Sequence, residues 1–129
     1  MNQDLEFAEL VHVTCNSALR ALRAHERIRF RPMRRQKAVN TRKSYVIGRT
    51  NLKTGLITVD IFTPRKREPK KVSAILKVLC HEVAHHQKPP FKQFYRFRWI
   101  TRQHFPEFYE QVNYNIEILK THQDFKDHF

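Results

Sequence analysis

The chain has 129 residues, 40% of them hydrophobic, with 10 Phe and 4 Tyr. That matches one domain spanning 1–129 with a modest core and excludes wholesale disorder. A formal net charge of +13 points to polyanions, nucleic acid first and an anionic membrane surface second.

The start, "MNQDLEFAEL", carries acids early and has no basic segment followed by an apolar one, so it does not read as a signal peptide. No apolar run approaches the roughly 20 residues needed to span a bilayer. Residues 4–24 predict a helix. Leu5, Ala8, Leu10, Val11, Cys15, Ala18, Leu19 and Leu22 recur near helical spacing, with acids at its start and Arg20 and Arg23 at its end. "RIRFRP" alternates like a short strand that Pro32 ends. The basic, polar stretch from Arg34 to Lys43 reads as a loop.

"SYVIGRTNLKTGLITVDIF" predicts a hairpin, with Tyr45 to Thr50 as one strand, "NLKTG" as the turn and Leu56 to Phe62 as the other strand. Along the second strand, Ile57, Val59 and Ile61 share one side. "TPRKREPKK" breaks the pattern. A helix follows from about Val72 to His86, with Val72, Ile75, Leu76, Leu79 and Val83 on one face, stopped by "KPP". "FKQFYRFRWITRQ" is expected to form a further helix, with most of its aromatics filling the core. Pro106 opens a last helix striped by Phe108, Val112, Ile116 and Leu119. The expected class is α+β: an N-terminal helix, a short antiparallel or mixed sheet with a hairpin, the helix from Val72 to His86 and a C-terminal helix.

Cys15 and Cys80 are far apart and no Cys-x-x-Cys occurs, so cysteine builds no zinc ribbon or redox pair. Free thiols in a reducing compartment are expected, which points to the cytoplasm.

The chemistry concentrates in "LCHEVAHHQ", residues 79–87. On a helix, residues four apart lie one turn above each other, so His81 and His85 can present imidazoles to one metal ion. Glu82 is rotated about 100° from His81 and can serve as general base without ligating the metal. His86 points to another face and reads as a supporting or surface residue.

A catalytic zinc needs a third protein ligand and an open position. The metzincin pattern is excluded, since Lys88 and Phe91 stand where it needs Gly and His. His104, Glu107 and Glu110 are the candidates.

"LCHEVAHH" followed by "HFPEFYEQV" resembles the SprT-like family of zinc metalloproteases. The segment "GLITVDIFTPRKREPKKVSAILKVLCHEVAHH" is similar to it too, and the likeness covers about residues 44–120. The resemblance implies one zinc held by His81, His85 and His104, with Glu82 as general base. It also implies peptidase activity on proteins held on DNA. Phe105 stands where the family has a small residue, and no cysteine ribbon follows. The related minigluzincins use a Glu as third ligand, which keeps Glu107 or Glu110 open. Tyr95, Tyr109 and Tyr114 are candidate oxyanion donors, and an edge strand of the hairpin sheet can hold an extended substrate.

From Arg20 to Lys43 ten Lys or Arg face one acid, Glu26, and "PRKREPKK" adds five more cations. Lys88, Lys92, Arg96, Arg98 and Arg102 interleave with aromatics, of which Trp99 is open to base stacking. The expectation is a zinc-dependent metallopeptidase acting near nucleic acid. Its rivals are a non-catalytic nucleic-acid-binding module with a structural zinc and a zinc hydrolase with a non-peptide substrate.

Overall fold

The computed structural model describes residues 2–33 and 46–129. The loop expected from Arg34 to Lys43, and Tyr45 at the start of the hairpin, lie outside the described residues. The elements run α1 (Asn2–Ala21), β1 (Arg29–Met33), β2 (Gly48–Thr50), β3 (Leu56–Asp60), α2 (Val72–Gln87), β4 (Phe91–Tyr95), β5 (Arg98–Arg102) and α3 (Pro106–Thr121), then a 3-10 turn (Lys126–His128). This is the α+β architecture expected.

Helix α1 buries Ala8, Val11, Cys15, Ala18 and Leu19 at three- and four-residue spacing, and Leu22 just past its end is buried with them. Leu5 and Leu10, expected on the same stripe, are 54% and 55% exposed. Leu10 lies off the stripe's axis, and Leu5 comes before the stretch of α1 that the core covers. The helix ends in a Schellman arrangement, with Ala24 N–H donating to Leu19 C=O (2.8 Å) and Arg23 N–H to Arg20 C=O (3.0 Å). Arg23 takes the left-handed position, φ 58°. With 2 glycines in the whole chain, that conformation falls to larger residues here and at Arg67, Arg96 and Phe97.

The main sheet has the order β1-β3-β2, with β1 parallel and β2 antiparallel to β3. Pro32 does not end β1, as the sequence suggested; it pairs with Val59 inside the strand. β1 is an edge of this sheet, where the N–H that proline lacks has no ladder partner to satisfy. The β2–β3 turn is held by Asn51, whose Oδ1 accepts from Lys53 N–H (2.9 Å) and Thr54 N–H (3.1 Å). Gly55 completes it at φ 78°, and a Cβ there would lie 2.1 Å from Arg27 O.

Ile57, Val59 and Ile61 join the stripes of α1 and α2 in one core, with Ile75, Leu76, Leu79 and Val83 from α2. Asp60 also is fully buried, answered by Arg67, whose Nη1 and Nη2 reach its two oxygens at 2.9 and 2.8 Å. The pair ties the basic loop after β3 to the sheet. Cys15 and Cys80 are free and buried, and burial pushes both thiols up, Cys80 to about 12.

The segment expected as a further helix is a β-hairpin instead. β4 and β5 pair antiparallel from Phe91↔Arg102 to Tyr95↔Arg98. Its aromatics show no single helical face, and aromatic and β-branched residues favour strands. They do not fill the core either: Phe91, Phe94, Tyr95, Phe97 and Trp99 are all exposed. Among the described residues, no helix is long and apolar enough to cross a membrane.

Arg67→Met leaves the Asp60 carboxylate buried without its guanidinium, and should cost about 3–5 kcal/mol of stability. The urea midpoint measures this; a loss under about 1 kcal/mol would show that the pair does not hold the loop.

Candidate metal centre

Three elements supply the site. α2 is amphipathic because its apolar residues keep helical spacing, and burying that stripe turns His81 and His85 toward the opposite, half-buried side. Lys88 caps the helix through its N–H to Ala84 C=O (2.7 Å) just before two prolines. The chain then runs out and back through β4 and β5 and delivers His104 two residues before α3.

His81, His85 and His104 converge, each offering a ring nitrogen within 4.8 Å of the others. Their ring centroids are 5.0 Å apart for His81 and His85, 5.3 Å for His81 and His104, and 5.0 Å for His85 and His104. Glu107 and Glu110, the other candidates for a third ligand, are exposed on α3 and do not join this group.

Beneath the three imidazoles lies Phe108, fully buried, its ring 5.0 Å from His81, 4.5 Å from His85 and 5.2 Å from His104. The same phenyl ring therefore limits the tilt of all three. A cleft of about 390 Å³ opens above them, lined also by Glu82, Gly48, Arg49, Thr50, Pro90 and Gln103.

Glu82 is 7% exposed and faces strand β2. A Cβ built on Gly48 would sit 3.5 Å from Glu82 Oε1 and 2.8 Å from Val78 Cγ1. The missing side chain at Gly48 is what lets α2 lie this close to the strand. Burial raises the Glu82 carboxyl to about 7. Burial lowers His85 to about 4, with the neighbouring His81, His104 and His86 adding to the effect. His81 is lowered by burial and by His104. Neutral imidazoles have the free lone pair that ligation needs.

His86 faces away from the group, as expected, and shares a hydrogen bond with the Thr50 hydroxyl. That contact fastens α2 to β2 beside the cleft. Tyr95, Tyr109 and Tyr114 are all exposed and none lines the cleft, but the Tyr109 ring lies 6.1 Å from that of His104.

Two supports were missed from the sequence. Asn115 is fully buried and donates from Nδ2 to Cys80 C=O (3.3 Å) and Gln87 Oε1 (2.7 Å), while its Oδ1 accepts from Gln111 Nε2 (3.0 Å). It locks α3 onto α2 next to His81. The signal was present: position 115 falls on the buried stripe between Val112 and Leu119, where a polar residue needs a partner. Gly48 gave no signal, since the need for glycine comes from a helix that is distant in sequence.

The three nitrogens lie close enough to one another to hold one metal ion at the cleft. Comparisons with protein-family models, with curated proteins and with solved structures found no match. The assignment of chemistry rests on the site itself, an α2–His104 group that can hold a metal ion.

Gly48→Ala places a methyl group against Val78 and Glu82 and should cost about 1–3 kcal/mol through overpacking. Chemical denaturation measures it; unchanged stability would mean that the spacing of β2 and α2 is set elsewhere.

Proposed function

We propose that this protein is a zinc-dependent metallopeptidase of the SprT-like type, acting on proteins at or near nucleic acid. The observation that carries the reading is the meeting of His81, His85 and His104 in one cleft with the desolvated carboxyl of Glu82. Three imidazole nitrogen donors suit zinc better than the oxygen-preferring calcium or magnesium. His81, His85 and His104 would hold the zinc ion, which would supply Lewis acidity towards a carbonyl and lower the pKa of water towards neutral.

The chain's own residues supply the rest. Glu82, with a carboxyl near 7, can take a proton from water and return it to a leaving amine at neutral pH. A structural zinc would have no need of a carboxyl at that point. β2 is an edge of the described sheet and lines the cleft, so an extended peptide can add to it by backbone pairing. Tyr109, beside His104, is the tyrosine best placed to donate to a developing oxyanion. The net charge of +13 supports work near nucleic acid. Of the cations in "PRKREPKK", Arg67 is engaged by Asp60, while Arg65, Lys66 and Lys71 are exposed for phosphate.

Purified protein should carry one zinc per chain by elemental analysis. His81→Ala, His85→Ala and His104→Ala should each lower that content sharply, whereas Glu107→Ala and Glu110→Ala should not. Full zinc in His104→Ala with loss in either Glu variant would reassign the third ligand.

Glu82→Gln removes the proton acceptor with almost no change of shape. It should keep zinc and fold while peptide hydrolysis falls by about 100-fold or more. Unchanged turnover would remove Glu82 from the chemistry and favour a structural zinc.

A further inference from the structure

The β4–β5 hairpin does not belong to the core, and the site does not use its side chains. Every residue of both strands is exposed except Ile100, which is half-buried. Its base meets the body where Phe91 packs on Phe105, with ring centroids 5.0 Å apart. Isolated two-stranded ribbons are marginal in water, and beyond the Phe91 contact and half-buried Ile100 this one buries little apolar surface.

Its turn is also costly. Arg96 and Phe97 both hold positive φ, 50° and 67°, where Asn-Gly would do so with less strain. The turn carries Phe97 to 94% exposure at the tip. Register places Phe94 directly opposite Trp99, and their rings lie 5.4 Å apart on one face, 57% and 69% exposed. Cations run the length of the arm as Lys92, Arg96, Arg98 and Arg102, and no acid occurs from Lys88 to Gln103.

We propose that this hairpin is a docking arm for a single-stranded polynucleotide, with bases stacking on Phe94 and Trp99 and phosphates held by the flanking cations. Charge selects the class of partner: an acid-free surface repels a second copy of itself and attracts a polyanion. The apolar component is almost wholly aromatic. Flat rings suit the faces of unpaired bases, which a duplex hides in its stack. A lipid surface is disfavoured because the most exposed ring, Phe97, is flanked by Arg96 and Arg98, which would have to enter the membrane with it.

The position of the arm deepens the proposed function and rests on it. β4 starts just after Pro90 and β5 ends just before Gln103, and both of those residues line the metal cleft. A strand held on the arm therefore lies at the rim of the cleft, and a protein attached to that strand is delivered to the proposed peptidase site.

Trp99 is the chain's one tryptophan, which makes it a direct probe. An oligothymidylate of about 15 nucleotides, added at about 50 mM salt, should quench its emission saturably, and less so as salt rises. An oligouridylate should do the same, since neither stacking nor phosphate contact needs the 2′-hydroxyl. Phe94→Ala with Trp99→Ala should weaken binding of labelled oligothymidylate about tenfold or more, with duplex binding changed far less. Melting temperature and zinc content should hold, because both rings are exposed.

Equal binding by wild type and the double variant, or quenching confined to one of the two polynucleotides, would overturn the proposal. So would a shift of Trp99 emission on phosphatidylserine vesicles with none on oligonucleotide. Hydrolysis of a free peptide by the double variant, without nucleic acid, should match wild type and reads the peptidase proposal separately.

Discussion

One buried ring, Phe108, stands between α2 and α3 and touches all three imidazoles of the candidate centre. Full burial of such a side chain is worth about 1.5–3 kcal/mol, so the same contact that joins the helices also sets the floor of the site. Asn115 adds direction to that apolar contact. Its amide has partners on α2 only when α3 lies in one register, and any slide would leave a buried polar group unsatisfied. The metal group therefore depends on helix packing more than on any loop.

This packing explains how the site tolerates a long excursion in the middle of its ligand set. The chain leaves after Pro90 and returns at Gln103, yet Phe91 pairs directly with Arg102. An antiparallel ribbon brings its two ends side by side, so its length has no effect on where His104 meets α2. The arm can carry residues suited to the surface, including a strained tip, because neither core nor centre rests on it.

Electrostatics in a chain of +13 places its few buried acids under particular demands. Asp60 is compensated by a bidentate guanidinium and serves the architecture. Burial raises the Glu82 carboxyl, which lines the cleft beside the three histidines. Of the two, Glu82 is the one that lines the cleft, where a desolvated carboxyl marks a candidate functional group.

Local periodicity in the sequence was enough to place α1, α2, α3 and the β2–β3 hairpin, and to put His81, Glu82 and His85 on one helix. Those features depend on spacing within one element, where 3.6-residue and 2-residue repeats act directly. In the sequence, the family resemblance favoured His104 as third ligand and kept Glu107 or Glu110 open beside it. Tertiary structure brings His104 to His81 and His85, while Glu107 and Glu110 are exposed on α3 outside that group. The stretch from Phe91 to Arg102 was misread because aromatics of high strand propensity can satisfy a helix pattern loosely, while the pairing that decides between them is made across a turn. Exposure of those rings, the need for glycine at position 48 and the tie from Asn115 to Cys80 were likewise tertiary outcomes. Each depends on which surface comes to lie opposite, and that is fixed by packing between elements distant in the chain.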